Sequence, residues 1–562
     1  MIHRPTPLKK KDAAAGLLLG LSNVPGGLAM GLLAGVSPIS GLYAYLFGTV
    51  AGAIATSSVL MSVQGTAALA VLVSDVPGVD ASAAGLTALV TLTVLTGVIM
   101  LALGLARTGT VVRFVPHAVV TGFVNAVAVT IVLSQLAEFT GYPSPRDNRV
   151  ARAIDTVANV GSFDVPTAVA AVATMALIFT LGRTRLGAFG MVMAIVVVSA
   201  AVQLLGVDSV RQVSDVAEIP AGLPTPQLPD LSRVVGLLLP ALSLAFVGLV
   251  QGSAISQSVP NPDGSYPDVS GDFRGQGVAN LASGVLQGMP VGGSMTATGL
   301  LTSSGARSRW ANLVAGAVML LAILLFSGLV DLIAMPALAG LLTVVGIRTF
   351  RVEAVAMVWR TGATQASVMV VTFVLTIAAP LQVAVLTGVG ISVVLFVVRQ
   401  SNRVIVHRWV LTPEDPFPKE VAPPTELEAD DVVVLTTYGS LFFASAPVFE
   451  GQLPKATSNS HNAVVVVRLR GKEDLGSTFI SVISRYHDAL RASGAHLILS
   501  GVGDRVARQL RDTGAVELIG QANIFGATES VGESLNQALQ RAEQLRVGGQ
   551  ESGREGPIPR DG

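Results

Sequence analysis

Two short segments of small and hydroxylated residues lie in matching places in the two halves of the chain, at 62–68 and 290–299. Each segment opens an apolar run that is too short to cross a bilayer. A helix that starts at mid-membrane directs its free backbone N–H groups and the positive end of its dipole into the protein. Two such starts facing each other would hold an anion. The candidate ligands are Gly65, Thr66, Ala67, Ser294, Met295, Thr296 and Ala297.

The hydroxyl groups of Thr66 and Thr296 are predicted to face each other and to donate to an oxyanion. The backbone N–H groups of these two residues, and those of Ala67 and Ala297, are predicted to join them. Unpaired N–H groups are costly at membrane depth, so they should face a ligand or water. In the alternative interpretation, the glycines and threonines only permit close helix packing. The matching positions of the two segments favour a transporter site.

The composition is that of a membrane protein. Of the 562 residues, 51% are hydrophobic and only 13% are charged, against about 25% charged in soluble domains. The chain has no cysteine, which excludes disulfides and thiolate metal sites. We find no P-loop, metal-ligand cluster or catalytic triad. The sequence therefore predicts a protein that is not an enzyme and has no cofactor and no nucleic-acid partner.

Apolar segments long enough, or nearly long enough, to span a bilayer recur along residues 13–399. With two predicted half-helices at 66–76 and 294–304 they make about fourteen elements, seven on each side of the polar segment 207–233. An odd number per half inverts the second half, so we predict inverted repeats over about 12–206 and 234–400. The predicted spans are 13–34, 38–58, 84–106, 115–137, 165–184, 187–206, 234–257, 275–289, 310–331, 333–349, 365–379 and 382–399.

The arginines indicate the orientation. If the N-terminus is cytoplasmic, most arginines of the loops fall on the cytoplasmic side, as the positive-inside rule requires. One predicted outer loop, 141–163, is an exception because it carries Arg146, Arg149 and Arg152. We expect a multi-pass protein of the cell (inner) membrane, with the N-terminus and the C-terminal domain in the cytoplasm.

The chain changes character after the last predicted span. The transmembrane domain is expected to cover 1–410, and residues 411–430 are predicted to form a proline-rich, acidic linker. Residues 431–546 show β-branched runs alternating with helical patterns, which predicts a small α/β domain. The polar segment 547–562 is predicted to be disordered.

Several motifs follow one another in a characteristic order: 25–29 (PGGLA), 34–38 (AGVSP), 41–44 (GLYA), 113–123 (RFVPHAVVTGF), 134–136 (SQL), 277–280 (GVAN), 290–298 (PVGGSMTAT) and 304–307 (SGAR). Their order and spacing resemble the SulP anion permeases, the sulfate-permease family, whose members carry a C-terminal STAS domain. The resemblance implies a seven-plus-seven inverted repeat with a core and a gate domain. It also implies an anion held between the third and tenth elements, and an elevator-like movement of core against gate.

The resemblance adds Gly26 and Gln251 to the candidate substrate-binding residues. These two positions and Thr296-Ala297 depart from the family pattern. Many relatives have glutamine where this chain has Gly26, and many have an arginine in the tenth element, where this chain has Thr296-Ala297. Gln251 stands where many bacterial members have a glutamate and a bicarbonate-transporting branch has an aspartate. Glutamine cannot titrate. The departures favour uniport, exchange or coupling at another place, and they leave sulfate, bicarbonate, chloride or a related oxyanion open as substrate.

The C-terminal domain contains a junction similar to the strand-to-helix turn of STAS domains, at Asp474-Leu475-Gly476-Ser477-Thr478. Leu475 replaces the phosphorylatable residue of related anti-sigma antagonists. Ser477 and Thr478 are candidates for phosphorylation, but we favour the interpretation that they cap the helix. The resemblance implies homodimer contacts or a cytoplasmic protein partner for this domain.

Two alternatives to a secondary transporter remain open, and a third is disfavoured. An anion channel would suit a pore lined by helix ends. A sensor would bind the anion without moving it across the membrane. A nucleobase carrier of the same fold is disfavoured by the STAS-like domain and by the motif of the tenth element.

Overall fold

The computed structural model describes residues 8–109, 116–146, 149–184, 187, 189–216, 222–379, 404–412 and 417–552, with isolated positions between 387 and 398. The chain divides into two compact units, 1–392 and 393–562, and each is described by itself.

The first unit is helical, with two very short strands. Seven helices among the described residues are long and apolar enough to cross a membrane. The predicted span 382–399 falls mostly outside the described residues. The elements are α1 (Lys10–Leu33), α2 (Pro38–Ala55), β1 (Val63–Gln64), α3 (Ala67–Ser74), α4 (Ala83–Leu105), α5 (His117–Ser134), α6 (Leu136–Thr140), α7 (Arg149–Ala158), α8 (Val165–Gly182), α9 (Phe189–Leu204), α10 (Val234–Ser258), α11 (Val269–Val285), β2 (Gly292–Gly293), α12 (Met295–Ser303), α13 (Trp310–Asp331), α14 (Met335–Thr349), α15 (Val352–Thr361) and α16 (Ala363–Ala378).

The helices of the first unit pack in two bundles. In the core bundle, α1, α2, α4, α10, α11 and α13 pack on one another and on the half-helices α3 and α12. In the gate bundle, α5, α6, α8, α9, α14 and α16 pack together. The bundles meet where α3 lies against α5 and where α1 lies against α9 and α14. This division agrees with the core and gate that the family resemblance implied.

Glycine permits the close crossing of α1 and α2. A Cβ atom at Gly41 would lie 2.1 Å from the carbonyl oxygen of Gly27, so the backbones touch directly. Pro38 occupies the first turn of α2, where its missing N–H costs no hydrogen bond. The crossing holds α2 against α1 beside the two half-helices.

Strands β1 and β2 cross in the core bundle and pair antiparallel, with Val63 opposite Gly293 and Gln64 opposite Gly292. All four residues are buried. Buried backbone outside a helix needs hydrogen-bond partners, and the pairing supplies some of them. Because each strand leads directly into a half-helix, the pairing also brings the starts of α3 and α12 together.

The second unit is an α/β domain with a six-stranded sheet in the order β4-β3-β5-β6-β7-β8. Strands β5 to β8 are parallel, while β3 pairs antiparallel with both β4 and β5. Its elements are β3 (Ile405–Val410), β4 (Lys419–Val421), β5 (Val432–Tyr438), α17 (Ala446–Glu450), β6 (Val464–Arg468), α18 (Ser477–Ala492), β7 (His496–Val502), α19 (Asp504–Asp512), α20 (Ala515–Ile519), β8 (Ile524–Gly526) and α21 (Glu533–Ser552).

Both ends of this domain differ from the sequence-based boundaries. The sheet recruits β3 from the end of the predicted transmembrane domain and β4 from the predicted linker 411–430. Strand β3 joins the sheet by pairing with β5, and β4 joins it by pairing with β3. Because β4 is the edge strand, it tolerates the neighbouring prolines of its segment. Helix α21 continues to Ser552, into the predicted disordered tail 547–562, of which 553–562 lie outside the described residues.

Candidate functional site

Each half-helix begins with a hydroxyl side chain that accepts a hydrogen bond from the first turn. Thr66 precedes α3, and its Oγ1 accepts the N–H of Leu69 at 3.4 Å. Ser294 precedes α12, and its Oγ accepts the N–H of Ala297 at 3.3 Å. Such caps satisfy one of the free N–H groups at a helix start. In the first turns of α3 and α12, four N–H groups have no protein partner among the described residues, those of Ala67, Ala68, Met295 and Thr296.

The predicted ligands of the second start do not all lie on its open side. Met295 and Thr296 are exposed, Met295 by 39%. Ala297 is 3% exposed, and its N–H is taken by the Ser294 cap. The prediction of a free N–H at Ala297 is therefore wrong, because the serine before the helix uses it.

The Thr66 hydroxyl is not free either. Its Oγ1–H donates to Oε1 of Gln251 on α10 at 3.0 Å, so the hydroxyl predicted to contact the anion instead holds a neighbouring side chain. The Nε2 group of Gln251 has no protein partner among the described residues. An amide nitrogen donates only, so Gln251 presents an N–H donor next to the start of α3.

Polar contacts across β1 and β2 tie the two starts together. The N–H of Ser294 donates to the carbonyl oxygen of Ser62 at 2.9 Å, and Nε2 of Gln64 donates to Oγ of Ser294 at 3.3 Å. The N–H of Ser62 donates to Oγ1 of Thr298, inside α12, at 3.1 Å. The cap of the second half-helix is thus bonded to the strand that leads into the first.

Gly26 and Gly65, the remaining predicted site residues, face one aromatic ring. Gly26 follows Pro25 in α1, and Gly65 lies between β1 and Thr66. A Cβ atom at Gly26 would lie 3.5 Å from Cε1 of Tyr45, and one at Gly65 would lie 3.1 Å from its Cε2. The structure therefore brings together two residues far apart in sequence, with a tyrosine of α2 between them.

A row of buried polar side chains on α11 holds β2, and the sequence reasoning did not identify it. Asn280 forms two hydrogen bonds with the backbone of Val291. Its Nδ2 donates to the carbonyl oxygen at 2.7 Å, and its Oδ1 accepts the N–H at 2.9 Å. Oε1 of Gln276 accepts the N–H of Gly293 at 3.0 Å. Residues four apart share one face of a helix. Polar residues spaced by four in an otherwise apolar segment were the available signal.

A fully buried carboxylate, Asp272, was also not identified from the sequence, because the predicted span 275–289 begins after it. Helix α11 begins at Val269 rather than at 275, so Asp272 lies in its first turn. Its oxygens accept the Ser58 N–H at 2.8 Å, the Ser256 hydroxyl at 2.6 Å, and the hydroxyls of Ser57 and Ser58. A buried charge needs such partners, and these serines come from the ends of neighbouring core elements.

In the α/β domain, Asp474 is exposed and bonded to α19. Its Oδ2 lies 3.1 Å from Nη2 of Arg505, and its Oδ1 accepts a bond from Gln509. Helix α18 starts after Gly476 without a side-chain cap. The expectation that Ser477 and Thr478 cap this helix is therefore wrong, since both lie inside its first turn. Burial lowers the pKa of the nearby Lys472, which donates to the Gly439 carbonyl oxygen at 2.6 Å.

A helical bundle with two paired half-helices, joined to a C-terminal α/β domain, is the architecture of a class of multi-pass membrane permeases. The profile of the sulfate permease family matches residues 10–372, and that of the STAS domain matches residues 424–531. The chain belongs to the sulfate permease family.

Individual relatives agree with this assignment. YbaR of Bacillus subtilis is 30% identical over 410 residues, which are 71% of this chain and 79% of YbaR. The bicarbonate transporter BicA of Synechocystis is 25% identical over 508 residues, covering 87% of this chain and 86% of BicA. Among solved structures, the murine anion transporter Slc26a9 in the inward-facing state has a TM-score of 0.84 at 20% identity, covering 96% of this chain and 92% of that one. At this identity the structural likeness concerns the fold.

Proposed function

We propose that the chain is a secondary transporter of a small inorganic anion across the cytoplasmic membrane. The observation that carries the proposal is the meeting of two half-helix starts, tied by β1 and β2, with four N–H groups of their first turns unpaired among the described residues. Such groups bind anions through hydrogen bonds and the helix dipole without a cationic side chain. Relatives with names that include sulfate or bicarbonate transport support an anion of this kind.

The anion is proposed to bind between α3 and α12, contacted by the N–H groups of Ala67 and Thr296, the hydroxyl of Thr296 and the amide of Gln251. Transport would proceed by an elevator-like movement of the core bundle against the gate bundle. The separate packing of the two bundles supports this, because a rigid body can slide where contacts are few.

Coupling to protons or sodium through the usual acid is not proposed. Gln251 is neutral, and its oxygen already accepts the Thr66 hydroxyl. Asp272 is an acid in the core, but four protein donors already satisfy its oxygens. Uniport or anion exchange follows as the transport mode. We further propose a homodimer with the N-terminus and the α/β domain in the cytoplasm, where that domain is free to bind a protein partner.

Reconstitution of the purified protein in liposomes tests the proposal. Uptake of sulfate, bicarbonate, chloride and nitrate is measured separately, with and without proton and sodium gradients. We expect saturable uptake that is stimulated by anion on the opposite side and is insensitive to both gradients. Conductance far above the turnover of a carrier would establish a channel. Tight anion binding without uptake would establish a sensor. Strong dependence of uptake on the proton gradient would contradict the argument from Gln251.

Substitution of Thr296 by arginine tests the location of the site. The residue is exposed at the start of α12, so an added cation has room and should raise or redirect anion affinity. The matched control is Ser303→Arg, which places the same charge on an exposed residue at the far end of α12. Equal effects of the two variants would argue against the site.

A further inference from the structure

Tyr45 on α2 is a buried tyrosine whose hydroxyl group does not stabilise the fold through a hydrogen bond to the described residues. The side chain is only 6% exposed, yet its oxygen has no hydrogen-bond partner among the described residues. It is also absent from the fully enclosed, unpaired polar atoms of those residues, so the oxygen reaches accessible space. A buried tyrosine usually finds a partner for its O–H group, which makes an open hydroxyl in this position informative.

The ring of Tyr45 lies between the predicted site residues Gly26 and Gly65, with its hydroxyl group on the side of Gly26. Cε1 is the carbon nearest to the Cβ position of Gly26, at 3.5 Å, and the hydroxyl oxygen is 3.9 Å from the same position. Cε2, the carbon on the opposite side of the hydroxyl, is nearest to the Cβ position of Gly65. The O–H group therefore lies on the α1 side of this space, and the flank of the ring lies against Gly65, the residue before Thr66.

Glycine at 65 and a small residue at 26 leave room for this placement. A side chain on Gly65 would meet the ring at 3.1 Å, closer than ordinary van der Waals contact allows, and a long side chain on Gly26 would extend into the space of the phenol. In this chain a phenol from α2 occupies the space that a long side chain from α1 would fill.

We propose that Tyr45 is an anion ligand and a determinant of specificity, with its phenol O–H donating to the anion bound at the start of α3. This inference rests on the proposed function and adds a ligand from α2. Hydrogen bonds between a neutral donor and a charged acceptor are short and strong. The ring also narrows the site on the side of α1, which selects small oxyanions and halides over larger organic anions.

Replacement of Tyr45 by phenylalanine tests the donor. The ring is kept and only the hydroxyl is lost, so the fold should be unaffected. We expect the Kd and the KM for the transported anion to rise about tenfold or more, with little change in maximal rate. The matched control is Tyr43→Phe on the same helix. The Tyr43 hydroxyl donates to the Gly222 carbonyl oxygen at 3.4 Å, and its loss should leave the anion KM unchanged.

An exchange of residues tests the shared space. Gly26→Gln should weaken anion binding, because the glutamine amide would occupy the space beside α1 that the Tyr45 phenol fills. Adding Tyr45→Ser should restore binding, since the serine vacates that volume. Restored binding in the double variant supports the proposal, whereas a loss that Tyr45→Ser does not relieve contradicts it.

Two measurements separate this inference from the proposed function. Anion-dependent thermal stabilisation of the detergent-solubilised protein reports binding, with chloride, sulfate and bicarbonate salts as probes, and liposome uptake reports transport. If wild type binds but does not transport, and Tyr45→Phe weakens the binding, the inference stands and the transport function fails. If wild type transports and Tyr45→Phe has an unchanged Kd and KM, the inference fails and transport stands.

Discussion

The two half-helices differ in how the core bundle secures the strands that lead into them. Strand β2 lies against polar side chains of α11, where Asn280 and Gln276 bond to its backbone. Strand β1 lies against glycines of α2, where a Cβ atom at Gly52 would lie 2.6 Å from Cβ of Val63. Beyond their mutual pairing, side chains of α11 donate to and accept from the backbone around β2, whereas the contact of β1 with α2 is one of close packing. Repeats with a similar backbone plan can therefore secure the strand before each half-helix by different kinds of contact.

The largest expected effect comes from Asn280→Leu, which leaves the N–H and the carbonyl oxygen of Val291 unpaired in the interior. Each unsatisfied buried group costs about 1–3 kcal/mol, so the free energy of unfolding should fall by about 2–6 kcal/mol. Thermal unfolding in detergent measures the loss. The control is Thr96→Val, since that hydroxyl only bonds to the Leu92 carbonyl within its own helix. Equal losses would show that Asn280 does not clamp β2.

A smaller effect is expected at the packed side, from Gly52→Ala. The added methyl group would press on the Val63 side chain, and overpacking of this kind costs about 1–3 kcal/mol. Gly236→Ala is the opposite control, because nothing lies within 4 Å of its Cβ position in α10. There the exchange should stabilise the helix by about 0.5–1 kcal/mol. If Gly52→Ala also stabilises the protein, the close packing of β1 is not tight.

The two caps should be worth similar amounts of stability, about 1 kcal/mol each, and they allow a direct comparison of the half-helices. Thr66→Val and Ser294→Ala should lower the unfolding free energy alike. They should differ in anion binding, because only Thr66 also orients Gln251. Titration of both variants should give the larger rise in Kd for Thr66→Val. The reverse order would mean that Gln251 does not contact the anion.

The smallest effect is expected at the far end of α3, where Arg149 of α7 pairs with Asp75 and donates to the Ser74 hydroxyl at 2.9 Å. The pair explains one arginine of the loop that departs from the positive-inside pattern. Its side chains are 21% and 16% exposed, and such pairs contribute up to about 1 kcal/mol. Arg149→Gln should therefore change stability little. A double-mutant cycle with Asp75→Asn measures the coupling, and a zero coupling energy would remove the link between α3 and α7.

Local patterns were sufficient for much of the architecture. Hydropathy predicted most helices within a few residues, and the matching small-residue segments predicted where α3 and α12 begin. The β-branched runs predicted an α/β domain after residue 430, and the ordered motifs predicted the family. These features depend on the character of contiguous residues, which a single sequence displays directly.

Hydrogen-bond partners and the exact starts of helices could not be predicted in this way. The Thr66 hydroxyl bonds to Gln251, the Ala297 N–H is taken by Ser294, and Asp272 lies within α11 instead of before it. Each outcome depends on which atoms approach in space or on where a helix starts, and a helix start depends on its cap as well as on hydropathy.

Sequence alone defines the half-helix starts and their neutral character, because caps, glycines and missing charges are properties of the residues themselves. Which donors remain available to an anion is a result of tertiary packing. Close approach of the backbones at glycine lets the ring of Tyr45 reach the space between Gly26 and Gly65. Other predicted donors are already hydrogen-bonded within the protein, at the crossing strands and the helix starts. A donor that is bonded inside the protein is not available to bind an anion.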